Sequence, residues 1–130
     1  MREIKFRAWD NENRQMLEVQ ELNFEDCFYG GGMQIRTTMY SDYFDYREMP
    51  LMQYTGLHDK NGKEIYEEDI IEWTTYSGKK YRFSVEYSNK YAQYVIVNTL
   101  DVLMEYEPLG DYENIEVIGN IYENSELLED

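Results

Sequence analysis

The sequence predicts a mainly β protein with little helix. Three observations carry that reading. Residues suited to pleated, half-buried surfaces are abundant, with 14 tyrosines among 130 residues. Apolar residues recur in short alternating runs, and no stretch holds a helical period. The runs are separated by hairpin-type turns such as Asn61-Gly62 and Ser77-Gly78.

Taken in order, Ile4, Phe6 and Ala8 alternate with Lys5 and Arg7 as a first strand, and Asp10-Asn11-Glu12-Asn13 turns the chain. Met16 to Leu22 is the expected return. Met33 to Tyr40 offers a further strand after a glycine-rich stretch, Gly30-Gly31-Gly32. Met52 to Thr55 is strand-like, Asp59-Lys60-Asn61-Gly62 turns, and Glu64-Ile65-Tyr66 follows. Asp69 to Tyr76 and Tyr81 to Tyr87 flank the Ser77-Gly78 tip. Tyr91 to Asn98 and Glu116 to Tyr122 complete the strands, and Ser125 to Leu128 is a short helical tail. Close-spaced short strands of this kind fit a small, strongly bent barrel of the SH3 type. We expect an N-terminal β segment over residues 1–50, with a flexible loop near 26–33, and an SH3-like barrel region with a short tail over 51–130.

Twelve Lys and Arg against 27 Asp and Glu leave a net charge of −15. That balance excludes a general electrostatic grip on nucleic acid, which needs cations against phosphate. The charge is uneven: residues 91–130 hold ten acids and no Lys or Arg. The start alternates charge with no apolar run behind it, and no apolar stretch approaches the roughly 20 residues that cross a bilayer. A lone cysteine, Cys27, cannot close an intramolecular disulfide. A cytoplasmic protein without membrane contact is the expectation.

Few residues point to chemistry. One His and one Cys cannot build a structural zinc site, and Asp59-Lys60-Asn61-Gly62 has the wrong spacing for a calcium loop. His58 has no nucleophile elbow to pair with. Acidic neighbours raise the Cys27 thiol pKa and disfavour a reactive thiolate. Gly30-Gly31-Gly32 lacks the Lys-Ser/Thr of a phosphate loop. Glu67-Glu68-Asp69 is the most conspicuous set of adjacent acids, and chance explains such pairs in so acidic a chain. No catalytic residue, metal or cofactor is therefore expected. The run containing Tyr40, Tyr43, Phe44 and Tyr46 is the candidate partner-binding surface, because such rings give large contact area with a polar handle. Asp101, Glu105, Glu107, Asp111, Glu113 and Glu116 form a candidate acidic band.

Three segments together resemble the YopX family of phage and prophage proteins. They are Arg2 to Asp10 (REIKFRAWD), Leu51 to Tyr66 (LMQYTGLHDKNGKEIY) and Val117 to Asn124 (VIGNIYEN). Two positions depart from the family pattern. Glu68 stands where a glycine is usual before Asp69, and Ser125 stands where a proline is common after Asn124. The resemblance implies an SH3-like barrel region, a phage or prophage origin and a bacterial cytoplasm. It supplies no activity and no catalytic residues. The expected role is thus a non-enzymatic accessory protein that binds a protein partner or itself as a homo-oligomer. The alternative is an acidic DNA mimic that inhibits a host nuclease or DNA-binding protein.

Overall fold

The structure is a computed structural model that describes residues 2–24, 33–97 and 107–129. The expected loop near 26–33 lies, apart from Met33, outside the described residues. The chain forms two antiparallel sheets and divides into two compact units, Glu3–Gln53 and the residues from Tyr54 onward together with the N-terminus.

The first unit holds β1 (Phe6–Asp10), β2 (Gln15–Asn23), β3 (Gln34–Thr37), β4 (Phe44–Asp45) and the start of β5 (Leu51–His58). The strands lie in the order β4-β3-β2-β1-β5. Register places Ala8 opposite Leu17 and Leu51, and Ile35 opposite Phe44. Ala8, Leu17 and Met49 are buried, with Val19, Tyr40 and Phe44 packed against them. The predicted turn after β1 is present, but its left-handed position is filled by Arg14 at φ +48°. A glycine there would be free of the Cβ clash that an L-residue meets.

In the second unit the rest of β5 pairs with β6 (Glu64–Tyr66). A five-stranded sheet follows in the order β10-β9-β8-β7-β11. Its strands are β7 (Asp69–Thr74), β8 (Lys80–Ser88), β9 (Gln93–Val97), β10 (Glu107–Pro108) and β11 (Ile115–Asn120). The first three form a meander, and β11 returns to the free side of β7. Cross-strand pairs Ile71–Phe83, Ile71–Val117 and Val85–Ile96 set a continuous apolar face. With Ile65, Leu109 and Ile115 they make the core of this unit, flanked by Trp73, Tyr81, Tyr94 and Tyr112.

Two hairpins repeat one turn. Gly62 donates to the Asp59 carbonyl and Asp59 donates to that of Lys63; Gly78 and Thr75 do the same with Thr75 and Lys79. Both glycines sit near φ +85°, which closes a type I turn with a bulge. The turn before β7 forms without the family's glycine: Glu68 takes φ +69° itself. Its N–H reaches the Val85 carbonyl at 2.7 Å, and Asp69 accepts the Tyr66 N–H at 2.8 Å.

The structure differs from expectation at short elements. β4 and β10 are two-residue strands that alternation cannot reveal. β5 runs past Thr55 through Gly56, where the strand bulges at φ +88°. The tail Ser125–Leu128 is, as expected, a short helix, here of the 3₁₀ type, and its Leu127 carbonyl accepts from Arg82. Ahead of it the register slips between Val117 and Gly119, and a Cβ on Gly119 would collide with the Asn124 side chain. Asn120 Oδ1 accepts the N–H groups of Tyr122 and Glu123, so this turn is held by side chains.

Candidate functional site

The aromatic run of the first unit lies on and around β4, each tyrosine beside a carboxylate. Tyr40 donates its hydroxyl to Asp10 Oδ2 at 2.8 Å and accepts from Asn13 Nδ2 at 2.7 Å. Tyr43 donates to Glu21 Oε1 at 2.9 Å, and the same carboxylate binds Arg36 through Nε and Nη2. Tyr46 carries the Arg47 guanidinium 5.7 Å from its ring centroid, while Arg47 grips Asp45 at 2.7 and 2.8 Å. Tyr43 and Tyr46 are exposed, at 46% and 43%. Tyr40 and Phe44 are half-buried and meet edge to face at 5.6 Å.

A cavity of about 470 Å³ opens between the β1–β2 turn and the segment from Tyr40 to Met49. Tyr40, Phe44 and Met49 give it an apolar wall. Glu12, Asp42 and Glu48, all exposed, give it an acidic rim, and no Lys or Arg lines it. Asp10 sits deeper, 5% exposed, with its oxygens taken up by the Glu12 and Asn13 N–H groups, Asn13 Nδ2 and Tyr40.

These contacts fix the charges. The Asn13 side chain, aided by Tyr40, outweighs burial and holds the Asp10 carboxyl at about 2. The Arg47 side chain does the same for Asp45, also about 2. Tyr43 and then Arg36 lower Glu21. The hydrogen bond to Asp10 raises Tyr40, so its phenol stays protonated as a donor. Among the described residues no three of His, Cys, Asp and Glu converge as metal ligands. The three rim carboxylates therefore do not converge as a metal site.

Of the candidate acidic band, Asp101 and Glu105 lie outside the described residues, as do Cys27 and Gly30-Gly31-Gly32. Glu107 and Asp111 are exposed and both act on Tyr112, whose phenol is raised first by burial and then by these two charges. Glu113 is exposed in the loop before β11. Glu116 stands apart from them in its bonding: it pairs with Lys60 at 3.7 Å and faces Glu72, which binds Lys80 and Arg82.

Sequence reasoning passed over two organising carboxylates. In sequence Asp10 marks a turn; in the structure it also anchors Tyr40 across 30 residues. Asp59, 7% exposed, accepts the N–H groups of Asn61 and Lys63 on Oδ1 and of Val117 on Oδ2. Its burial opposes ionisation, but the Val117, Lys63 and Asn61 amides together hold it below the ordinary range. The Asx pattern signals the two local bonds. Nothing in the sequence signals the third. His58 meets the hydroxyl of the buried Tyr54, at 3.2 Å from Nε2. Asp69 accepts a hydrogen bond within its own turn. No helix among the described residues is long and apolar enough to cross a membrane.

Comparison with known proteins places this geometry in context. No curated protein matches the chain. The solved structure of protein EF1440 from Enterococcus faecalis is 29% identical, with a TM-score of 0.64 over 99% of this chain and 100% of that one. Protein yopX from Bacillus subtilis, at 24% identity, shares the fold with a TM-score of 0.65 over 96% of this chain and 98% of its own. A family model described as YopX protein matches residues 5–129, and the chain belongs to the YopX family.

Proposed function

We propose that this chain is a non-enzymatic accessory protein of a phage or prophage, acting in the bacterial cytoplasm by binding protein. The observation that carries the reading is the surface around β4. Tyr43 and Tyr46 are exposed yet held, one by Glu21 and the other under Arg47. Aromatic side chains fixed before binding lose little conformational entropy on contact, which is the usual character of an interface anchor. The cavity beside them adds a recess for a partner side chain. The test is capture from a lysogenic or infected host with the wild type and with a Tyr43→Ala, Tyr46→Ala variant. A protein retained by the first and lost by the second supports the reading; identical retention by both, or none by either, overturns it. Sedimentation over a range of concentrations tests binding to a second copy.

The unit that begins at Tyr54 is read as an SH3-type barrel. In support, the β5–β6 turn continues the bonding past the β11 edge: Lys60 donates to the Ile115 carbonyl, and Asp59 accepts from Val117. Barrels of this kind hide strand edges. The DNA-mimic reading rests on Glu107 and Asp111, which share one neighbourhood around Tyr112. A mimic needs rows of uncompensated carboxylates, and the pairing of Glu116 with Lys60 weakens that row. Inhibition of a host nuclease that disappears on neutralising Glu107 and Asp111 would favour the mimic over the β4 surface.

A further inference from the structure

We propose that the cavity beside Tyr40 receives an arginine side chain from the protein partner. This deepens the binding role proposed above and rests on it. The argument begins with a pattern the chain uses twice in the same unit. Arg36 is gripped by Glu21, which also accepts from Tyr43. Arg47 is gripped by Asp45 and lies over Tyr46. Each site combines a guanidinium, a carboxylate and a tyrosine. Planar, delocalised and weakly hydrated, guanidinium suits that setting better than an ammonium.

The cavity offers the same chemistry at larger scale. Its wall is the Tyr40–Phe44 edge-to-face pair with Met49 beneath. Its rim is Glu12, Asp42 and Glu48. The Tyr40 hydroxyl is committed to Asp10, which leaves the rings to act as faces and edges rather than as hydrogen-bond donors to the guest. A cation above an aromatic face, with carboxylates at the margin, is stabilised twice. Three exposed carboxylates that do not converge as metal ligands suit a broad cation with several donors. A volume of about 470 Å³ accommodates one long side chain and its backbone neighbours. Charge selects the source of that side chain. A second copy of this chain brings another −15, so a basic or neutral partner with an exposed arginine meets far less repulsion.

The probe is N-acetyl-arginine methylamide, titrated into the full-length ¹⁵N-labelled protein. Its lysine counterpart and the neutral, near-isosteric citrulline counterpart serve as comparisons. Expected are saturable amide shifts confined to residues 10–13 and 40–49, with a Kd on the order of 1–10 mM for the arginine probe. The lysine probe binds several-fold more weakly, and citrulline gives no saturable response. Asp42→Asn with Glu48→Gln weakens the arginine probe by about tenfold, by loss of two charge-assisted contacts. Both positions are exposed, so the thermal midpoint of this variant stays at the wild-type value. Equal binding of arginine and citrulline overturns the proposal, as do shifts centred elsewhere or an unchanged Kd in the variant. If the arginine probe fails while a host protein is still lost on replacing Tyr43 and Tyr46, only the guanidinium assignment falls. If the probe binds but no host protein depends on the β4 surface, the binding role falls instead. Concentration-dependent dimerisation abolished by the Asp42 and Glu48 changes would make a second copy the occupant and would also overturn the proposal.

Discussion

Replacing Asp59 by alanine removes one side chain that ties three backbone amides together. The Asn61 and Lys63 N–H groups are half-exposed in the turn and regain water when the carboxylate is lost, at about 0.5–1 kcal/mol each. The Val117 N–H, 2.9 Å from Oδ2, is buried and gains no such replacement. A buried donor left without an acceptor costs about 1–3 kcal/mol. The sum is about 3 kcal/mol. Asp59→Asn separates charge from shape. Its oxygen still serves the two turn amides, but its NH₂ then faces the Val117 N–H, donor against donor, so about 2 kcal/mol is lost. Because β11 is paired with β7, an interior strand of the sheet, the loss falls on the whole second unit rather than on a frayed turn. Urea unfolding followed by tryptophan fluorescence in a Trp9→Phe background reads it, since Trp73 packs against this unit's core cluster and Trp9 lies in the first unit. For a slope near 1.5 kcal/mol per molar urea, the Asp59→Ala midpoint falls by about 2 M. A shift of less than about 0.5 M would refute the role of the Val117 contact, and an Asp59→Asn midpoint equal to wild type would refute the donor–donor argument.

Glu68→Gly relieves a left-handed residue, worth about 1–2 kcal/mol, against the extra unfolded-state entropy of glycine; a net gain of about 0.5–1 kcal/mol in urea unfolding is expected. Asp10 and Asp45 have folded values of about 2 against about 3.9 for a free aspartate, so each stabilises the ionised fold. That contribution is complete above about pH 5 and is lost as pH falls through 4 towards 2. The acid-side fall in thermal midpoint will therefore be shallower in Asp10→Asn and Asp45→Asn, measured by calorimetry from about pH 6 to 2. Tyr112 is raised by burial and by Glu107 and Asp111. In alkaline titration read by tyrosinate absorbance, Glu107→Gln with Asp111→Asn will make one tyrosine, Tyr112, ionise earlier than in the wild type.

Much of the fold was legible because its hairpins carry their own chemistry. Gly62 and Gly78 sit where a left-handed residue is needed, and apolar alternation in Lys80–Ser88 gives the faces. The two-residue strands β4 and β10 were not legible, because alternation needs more positions and Pro108 reads as a breaker. The turn at Glu68 shows the limit of residue typing: contacts to Val85 and Ile121 hold a conformation that its side chain disfavours. At the site, the aromatic run was visible as composition. Which rings are exposed was not, since Tyr40 is drawn in by Asp10, thirty positions earlier. The acidic stretch was visible as a count, whereas the Lys60 that offsets Glu116 comes from a distant turn.

The return of β11 to β7 bears on synthesis. During translation β7, β8 and β9 emerge as a meander and can pair with one another at once. The other side of β7 must wait for residues 115–120, more than forty positions later. Over that interval β7, with two adjacent isoleucines, presents an unpaired edge to the cell. At about 5–20 residues per second the exposure lasts a few seconds, long enough for the nascent chain to meet chaperones or its neighbours on a polysome.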